Sequence, residues 1–250
     1  MPERIKIDPL VRIEGHMKAD YTITGNLITD AKIAGTMYRG FENFLKNRHP
    51  FDAVRITQRI CGVCHEVHGV VSCMAIEELY GIELPYNGVL LRELMLALSI
   101  ISDHMIHFYQ LMLPDYADFS SLAPKSGYFE SNAKAKYIRE KELTETLIDN
   151  YKNAIRVRGH IGEALAVIGA KTPFCHALLP GGITTKITPD KLLSLRSIIN
   201  ETYEFLTETM EPDVNLIAEY FPEYFDKGVT YGRYICGESF ILKDQPQFVS

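Results

Sequence analysis

Apolar and polar residues alternate loosely over Met17–Thr24 and again over Leu27–Ala34, with Gly25 and Asn26 between the two runs. A period near two, broken by a glycine–asparagine turn, predicts an antiparallel hairpin. After Gly40 the pattern turns helical. Pro85-Tyr86-Asn87-Gly88 punctuates the chain, and the apolar stretch Leu90–Leu113 predicts a long helix that Leu113-Pro114 stops. Arg92, Glu93, Asp103 and two histidines interrupt that stretch, so it reads as a helix buried in protein and not as a membrane span. Two more helices are predicted, from about Leu143 to Ile168 and from about Lys191 to Tyr220. The latter opens on Thr188-Pro189-Asp190, an N-cap candidate, a proline in the first turn and an early acid. Between them Gly169–Thr185, with Pro173, Pro180, Gly181 and Gly182, predicts a loop. The expected fold is α-rich α+β: residues 1–40 mainly β as a small N-terminal antiparallel sheet, residues 41–250 mainly helical as a bundle of long helices.

Composition narrows the class. Apolar residues form 46% of the chain and charged ones 23%, enough to bury a substantial core in a globular protein. A net charge of -6 with no dense basic run argues against a nucleic-acid partner. Met1-Pro2-Glu3-Arg4-Ile5 lacks the apolar core of a signal peptide. The cysteines, Cys61, Cys64, Cys73, Cys175 and Cys236, are few and odd in number, which disfavours a disulfide framework and suggests a reducing compartment.

The richest chemistry lies in Arg59-Ile60-Cys61-Gly62-Val63-Cys64, followed by His68. A short C-x-x-C arc lets two sulfurs reach one metal, and thiolates suit nickel, copper(I), zinc and iron–sulfur centres. Alone, such a pair equally fits a zinc knuckle or two buried cysteines, although no second C-x-x-C or spaced histidine pair completes a zinc site. His65 reads as incidental, and Cys73 as a small buried hydrophobe. His104 and His107, three apart on one predicted helix, read as core histidines. Glu14, between Ile13 and Gly15, would ordinarily pair with Arg12 or Arg39, and Glu42 would ordinarily be a solvated helix residue.

Arg12-Ile13-Glu14-Gly15-His16 and Arg39-Gly40-Phe41-Glu42 precede the cysteine pair. In this order R-I-E-G-H, R-G-x-E and R-x-C-G-x-C-x-x-x-H resemble the large, catalytic subunit of nickel–iron hydrogenases. The resemblance runs from about Ile5 to at least Tyr234 and covers the N-terminal half of the usual subunit. The family's second ligand pair, a D-P-C-x-x-C segment, has no counterpart in these 250 residues. Asp103 stands in a segment similar to the family's D-H-x-x-H-F-Y helix. Lys171–Gly182 is similar to its G-K-x-P-x-x-H-x-x-x-P-G-G loop, with Phe174 where many members carry histidine. Thr230-Tyr231-Gly232-Arg233-Tyr234 looks like its S-Y-G-x-F packing element.

The resemblance implies the reaction H2 ⇌ 2H+ + 2e− at a buried nickel–iron centre whose iron carries CN and CO. By motif position Cys61 is the terminal nickel ligand and Cys64 the bridge to iron, with His68 as a donor toward the bridging sulfur. Glu14 takes the proton-gate position, Asp103 belongs to a polar canopy over the metals, and Glu42 is a ligand of a separate magnesium or iron ion. His176 fits the loop histidine between the active site and the small-subunit interface. Electrons leave through iron–sulfur clusters of a small subunit, since no ferredoxin-like cysteine series is present. Maturation proteins are implied partners, and the location is the cytoplasm or, by export with the small subunit, the outer face of the cytoplasmic membrane. Two other readings are a truncated, non-catalytic large-subunit homologue and the related quinone-pocket subunit of respiratory NADH dehydrogenases. The paired cysteines argue against the second. Two thiolates do not make a four-thiolate site, so the 250-residue portion is expected to be inactive alone.

Overall fold

The computed structural model describes residues 2–122, 136–228 and 232–233. Thr230, Tyr231, Tyr234, Cys236 and the segment 245–250 lie outside the described residues. The chain divides into two units, Met1–Arg48 and His49–Ser250.

In the first unit the predicted hairpin forms. Strands β1 (Glu3–Ile7), β2 (Met17–Thr24) and β3 (Leu27–Gly35) pair antiparallel in the order β1-β2-β3. Gly25, at φ 63°, supplies the left-handed turn between β2 and β3 that a side chain would resist. Of the strand residues only Ala19 is buried. A short helix, α1 (Phe41–Phe44), follows Gly40.

The second unit is helical: α2 (Ala53–Thr57), α3 (His65–Tyr80), α4 (Tyr86–Met105), α5 (Lys141–Gly169), α6 (Pro189–Phe205) and α7 (Glu211–Tyr220). Along α5 the buried positions Leu147, Ala154, Val157, Ile161, Ala164 and Ile168 recur at helical spacing and form one apolar stripe. They join Met95, Leu98 and Met105 of α4, Val70 and Cys73 of α3, and Leu195 and Phe205 of α6 in a single core. The α-rich α+β expectation and the positions of the long helices are therefore borne out.

Two predicted helices are not continuous. α4 passes into a π-helical segment, Ile106–Met112, before Leu113-Pro114 ends it, and α6 and α7 are separated by another, Leu206–Met210. Tyr109 of the first segment is fully buried and donates its hydroxyl to Asp213 Oδ2 at 2.7 Å, while Asn150 Nδ2 donates to the same carboxylate at 3.0 and 3.1 Å. Burial raises the Asp213 carboxyl above its usual value, against the pull of those donors. Thr188 occupies the N-cap of α6, but its hydroxyl makes no capping bond; it bonds the Asp190 carboxylate and holds that acid low.

The loop 169–185 contains a small hairpin, β4 (Leu178–Leu179) with β5 (Gly182–Ile183). It is locked to α3 and α4 by a buried ion pair. Arg92 donates from Nη1 and Nη2 to the two oxygens of Glu77 at 2.8 and 2.7 Å, and from Nη2 to the Leu179 carbonyl at 3.1 Å. Gly181 N–H donates to Glu77 Oε1 at 2.7 Å. A fork-to-fork geometry with further backbone bonds is what makes such a pair tolerable away from water. Gly69 allows the close approach of α3 to this hairpin, since a β-carbon there would stand 2.9 Å from Leu178 Cδ2.

Breaking one side of the pair leaves a buried charge without its counterion. Glu77→Gln is expected to cost about 3–5 kcal/mol of stability, measured by urea denaturation of the purified protein. A loss below about 1 kcal/mol, the range of exposed pairs, would contradict this account.

Candidate metal centre

The turn bearing the cysteine pair is built from backbone geometry. A 3-10 turn, Gln58–Ile60, ends at Cys61, where the chain becomes extended, and Cys64 then takes the N-cap position of α3. The N–H groups of Val63 and Cys64 both donate to Cys61 Sγ, at 3.4 and 3.3 Å. Backbone donors gathered on one sulfur at a helix N-terminus suit a negatively charged ligand atom.

Cys64 sits in a different field. Its thiol is pushed up to about 12, first by burial, then by its hydrogen bond with Cys61 and by the negative charges of Cys61 and Asp103. The structure thus brings Cys61, Cys64 and Asp103, from the turn and from α4, into one electrostatic neighbourhood. A soft dication between the sulfurs would reverse the balance, because it stabilises thiolates and releases their protons. The donor set fits such an ion in chemistry and accounts for two ligands. Among the described residues no cluster of three His, Cys, Asp or Glu side chains completes a cation site.

His68, on the first turn of α3, is held below its usual value by burial, which favours the neutral ring. Its carbonyl accepts from Thr57 Oγ1 at 3.2 Å and Ser72 Oγ at 3.0 Å, fixing that turn. Glu14 and Glu42 belong to the first unit and are exposed there, Glu14 between β1 and β2 and Glu42 on α1. Cys73 is buried as expected, its thiol pushed up to about 12 by desolvation. His104 and His107 correct the expectation of core histidines: both are exposed. α4 buries Ser102 and Met105, which turns His104 outward, and His107 lies on the widened π turn. The His176 side chain is exposed, while its carbonyl accepts from Arg55 Nη2 at 2.6 Å.

His65 is not incidental. It is 5% exposed, with Nε2 2.6 Å from Glu66 Oε1 and Nδ1 3.1 Å from the Gly62 carbonyl oxygen. Glu66, 1% exposed, accepts from Ser99 Oγ of α4 at 3.2 Å. With Arg158 and Thr172 these residues line a cavity of about 230 Å³ beside Gly62 and Val63. A polar pair directly after Cys64, at the start of a helix, was the available sequence signal, but the turn residues before it overshadowed it. Phe174 also has a place here: its ring meets the His65 ring edge-on at 5.5 Å and lies under the Arg59 guanidinium at 4.8 Å.

Comparison with known proteins agrees with the sequence resemblance. A family profile described as nickel-dependent hydrogenase matches residues 39–125 and 122–249. The large subunit of the periplasmic [NiFeSe] hydrogenase of Desulfomicrobium baculatum is 31% identical over 239 residues, covering 93% of this chain and 46% of that protein. The hydrogenase-2 large chain of Escherichia coli is 29% identical over 276 residues, covering 91% and 49%. The solved Ni-Fe-Se hydrogenase from D. vulgaris Hildenborough in the reduced state superposes with a TM-score of 0.82 at 33% identity, over 90% of this chain and 46% of that one. The chain spans about half the length of the curated relatives it matches.

The raised Cys64 thiol gives a pH signature. Because the reactive species is the thiolate, alkylation of Cys64 in metal-free protein should accelerate about tenfold per pH unit from pH 8 to pH 10. Peptide mapping after iodoacetamide pulses measures it, and a plateau near the usual thiol value of 9.0 would contradict the raised value.

Proposed function

Because this chain belongs to the nickel-dependent hydrogenase family, we propose that it supplies the N-terminal half of a catalytic large subunit for the reversible oxidation of H2 to protons and electrons. The observation that carries this reading is the Cys61–Cys64 turn, with two backbone N–H groups aimed at one sulfur and the Asp103 charge acting on the other. In the proposal Cys61 and Cys64 would hold the nickel–iron centre, Cys61 through the sulfur that accepts the two backbone N–H groups and Cys64 through the sulfur beside the Asp103 charge. Such a centre supplies a soft, redox-active Lewis acid that polarises H2.

The protein groups divide the remaining work. The N–H donors of Val63 and Cys64 hold negative charge on Cys61 Sγ. His68, kept neutral by burial, offers an N–H toward sulfur without adding a charge. Asp103 sets the local potential above the pair. The Glu14 carboxylate receives the released proton and passes it outward, a transfer that needs a group able to cycle between its two protonation states. Glu42, a hard oxygen donor, would be one ligand of a separate magnesium or iron ion. Electrons pass to an iron–sulfur small subunit, and maturation proteins load the metals. The protein's location follows the small subunit, in the cytoplasm or outside the cytoplasmic membrane; among the described residues no helix is long and apolar enough to cross a membrane.

Two thiols are half of a four-thiolate set, so the isolated 250-residue polypeptide should reduce no viologen under H2, and measurable turnover by it would refute the ligand assignment. In the complete enzyme Glu14→Gln should lower turnover by about 10²-fold or more while nickel content, measured by elemental analysis, stays at the parent level. Nickel loss in that variant would make Glu14 structural.

A further inference from the structure

The Gly62–Val63 peptide is a rigid plane whose carbonyl and N–H point in opposite directions. Its oxygen faces His65 Nδ1 at 3.1 Å, and its N–H faces Cys61 Sγ at 3.4 Å. A carbonyl oxygen only accepts, so Nδ1 is the donor, and the imidazole sets the orientation of the whole plane. Holding the oxygen therefore aims the N–H at the sulfur.

The imidazole is itself held from three sides. Nε2 lies 2.6 Å from Glu66 Oε1, and Glu66 is tied to Ser99 of α4. Thr172 Oγ1 lies 3.4 Å from the same nitrogen. Phe174 packs edge-on against the ring, and it does so at φ 68°, a left-handed conformation that is costly for a bulky residue. Strain of that kind persists where the surroundings over-determine it. Here Arg59 and Lys171 place their charges 4.8 and 5.7 Å from the Phe174 ring centre.

We propose that His65 is a positioning residue for the thiol pair, which clamps the Gly62–Val63 peptide so that its N–H stays directed at Cys61 Sγ. Its bearing on catalysis rests on the reading that Cys61 and Cys64 hold the nickel–iron centre; the clamp itself is a property of the chain. Glu66, Thr172 and Phe174 fix the ring, and the loop 169–185 and α4 are thereby joined to the cysteine turn through one side chain.

Three substitutions separate clamping from space filling. His65→Asn retains a side-chain donor at the place of Nδ1, within reach of the Gly62 oxygen. His65→Gln carries its amide nearer the place of Nε2 and reaches toward Glu66 instead. His65→Leu keeps bulk and loses both bonds. In the protein purified from its source, amide hydrogen exchange at Val63 and Cys64 should be about tenfold faster in the Gln and Leu variants than in the parent, with Asn close to the parent. Nickel affinity should fall by about tenfold or more in the same two variants and recover in Asn. Parent-like exchange in His65→Leu, or better protection in Gln than in Asn, would overturn the clamp, since residue volume alone ranks Gln above Asn. Parent protein devoid of nickel would instead sink the functional reading, and the exchange order would still decide the clamp.

Discussion

The arrangement of the helical unit depends on the Glu77–Arg92 pair. Its two side chains come from α3 and α4, and its remaining bonds reach the β4–β5 hairpin through Leu179 and Gly181. α3 carries the cysteine turn at its start, and α4 carries Ser99 and Asp103 further along. Fixing one helix against the other at Glu77 and Arg92 therefore sets the spacing between the thiols and the carboxylate that acts on them. An apolar contact would hold the helices together with less cost of desolvation, but it would allow sliding; a bidentate ion pair has one good geometry.

Much of this architecture was readable in the sequence, for physical reasons that differ by element. The β2–β3 hairpin announced itself because Gly25-Asn26 meets a backbone requirement that few residues meet. α5 did so because its apolar stripe runs for many turns without a breaker. The two π segments did not, because a widened turn changes no residue type and leaves the apolar content intact. The ion pair was also hidden: Glu77 and Arg92 are fifteen positions apart, and periodicity carries no information about which charges meet inside a fold. For the candidate site, the motif and spacing single out Cys61 and Cys64, and the family resemblance adds Asp103. The roles of His65 and Glu66 emerged only when their burial was seen, since an exposed His-Glu pair would be unremarkable.

Cysteine itself illustrates how location decides chemistry. Cys73 and Cys64 both have thiols pushed up to about 12, burial being the first cause in each, yet the lesser contributions differ. Cys73 is fully buried in the apolar core, where desolvation outweighs the opposed charges of Arg92 and Glu77 and keeps it protonated and inert. Cys64 is half-buried at a helix start, and part of its shift comes from neighbouring sulfur and carboxylate charge, which an arriving cation would cancel.

The paired π segments couple two chain lengths that are far apart in sequence. Tyr109 lies within the first, and its partner Asp213 lies just beyond the second. Each wide turn accommodates roughly one residue more than an α-helical turn would, and one residue corresponds to about 100° of rotation around a helix. Deleting a residue from Leu206–Met210 would convert the wide turn into an ordinary helical one and leave Asp213 on nearly the same face, whereas a deletion within α6, where no wide turn absorbs it, would rotate Asp213 away and strand the Tyr109 hydroxyl in the core. The wide turns are thus the places where these helices can gain or lose one residue and still keep the Tyr109–Asp213 bond, while the regular turns around them cannot.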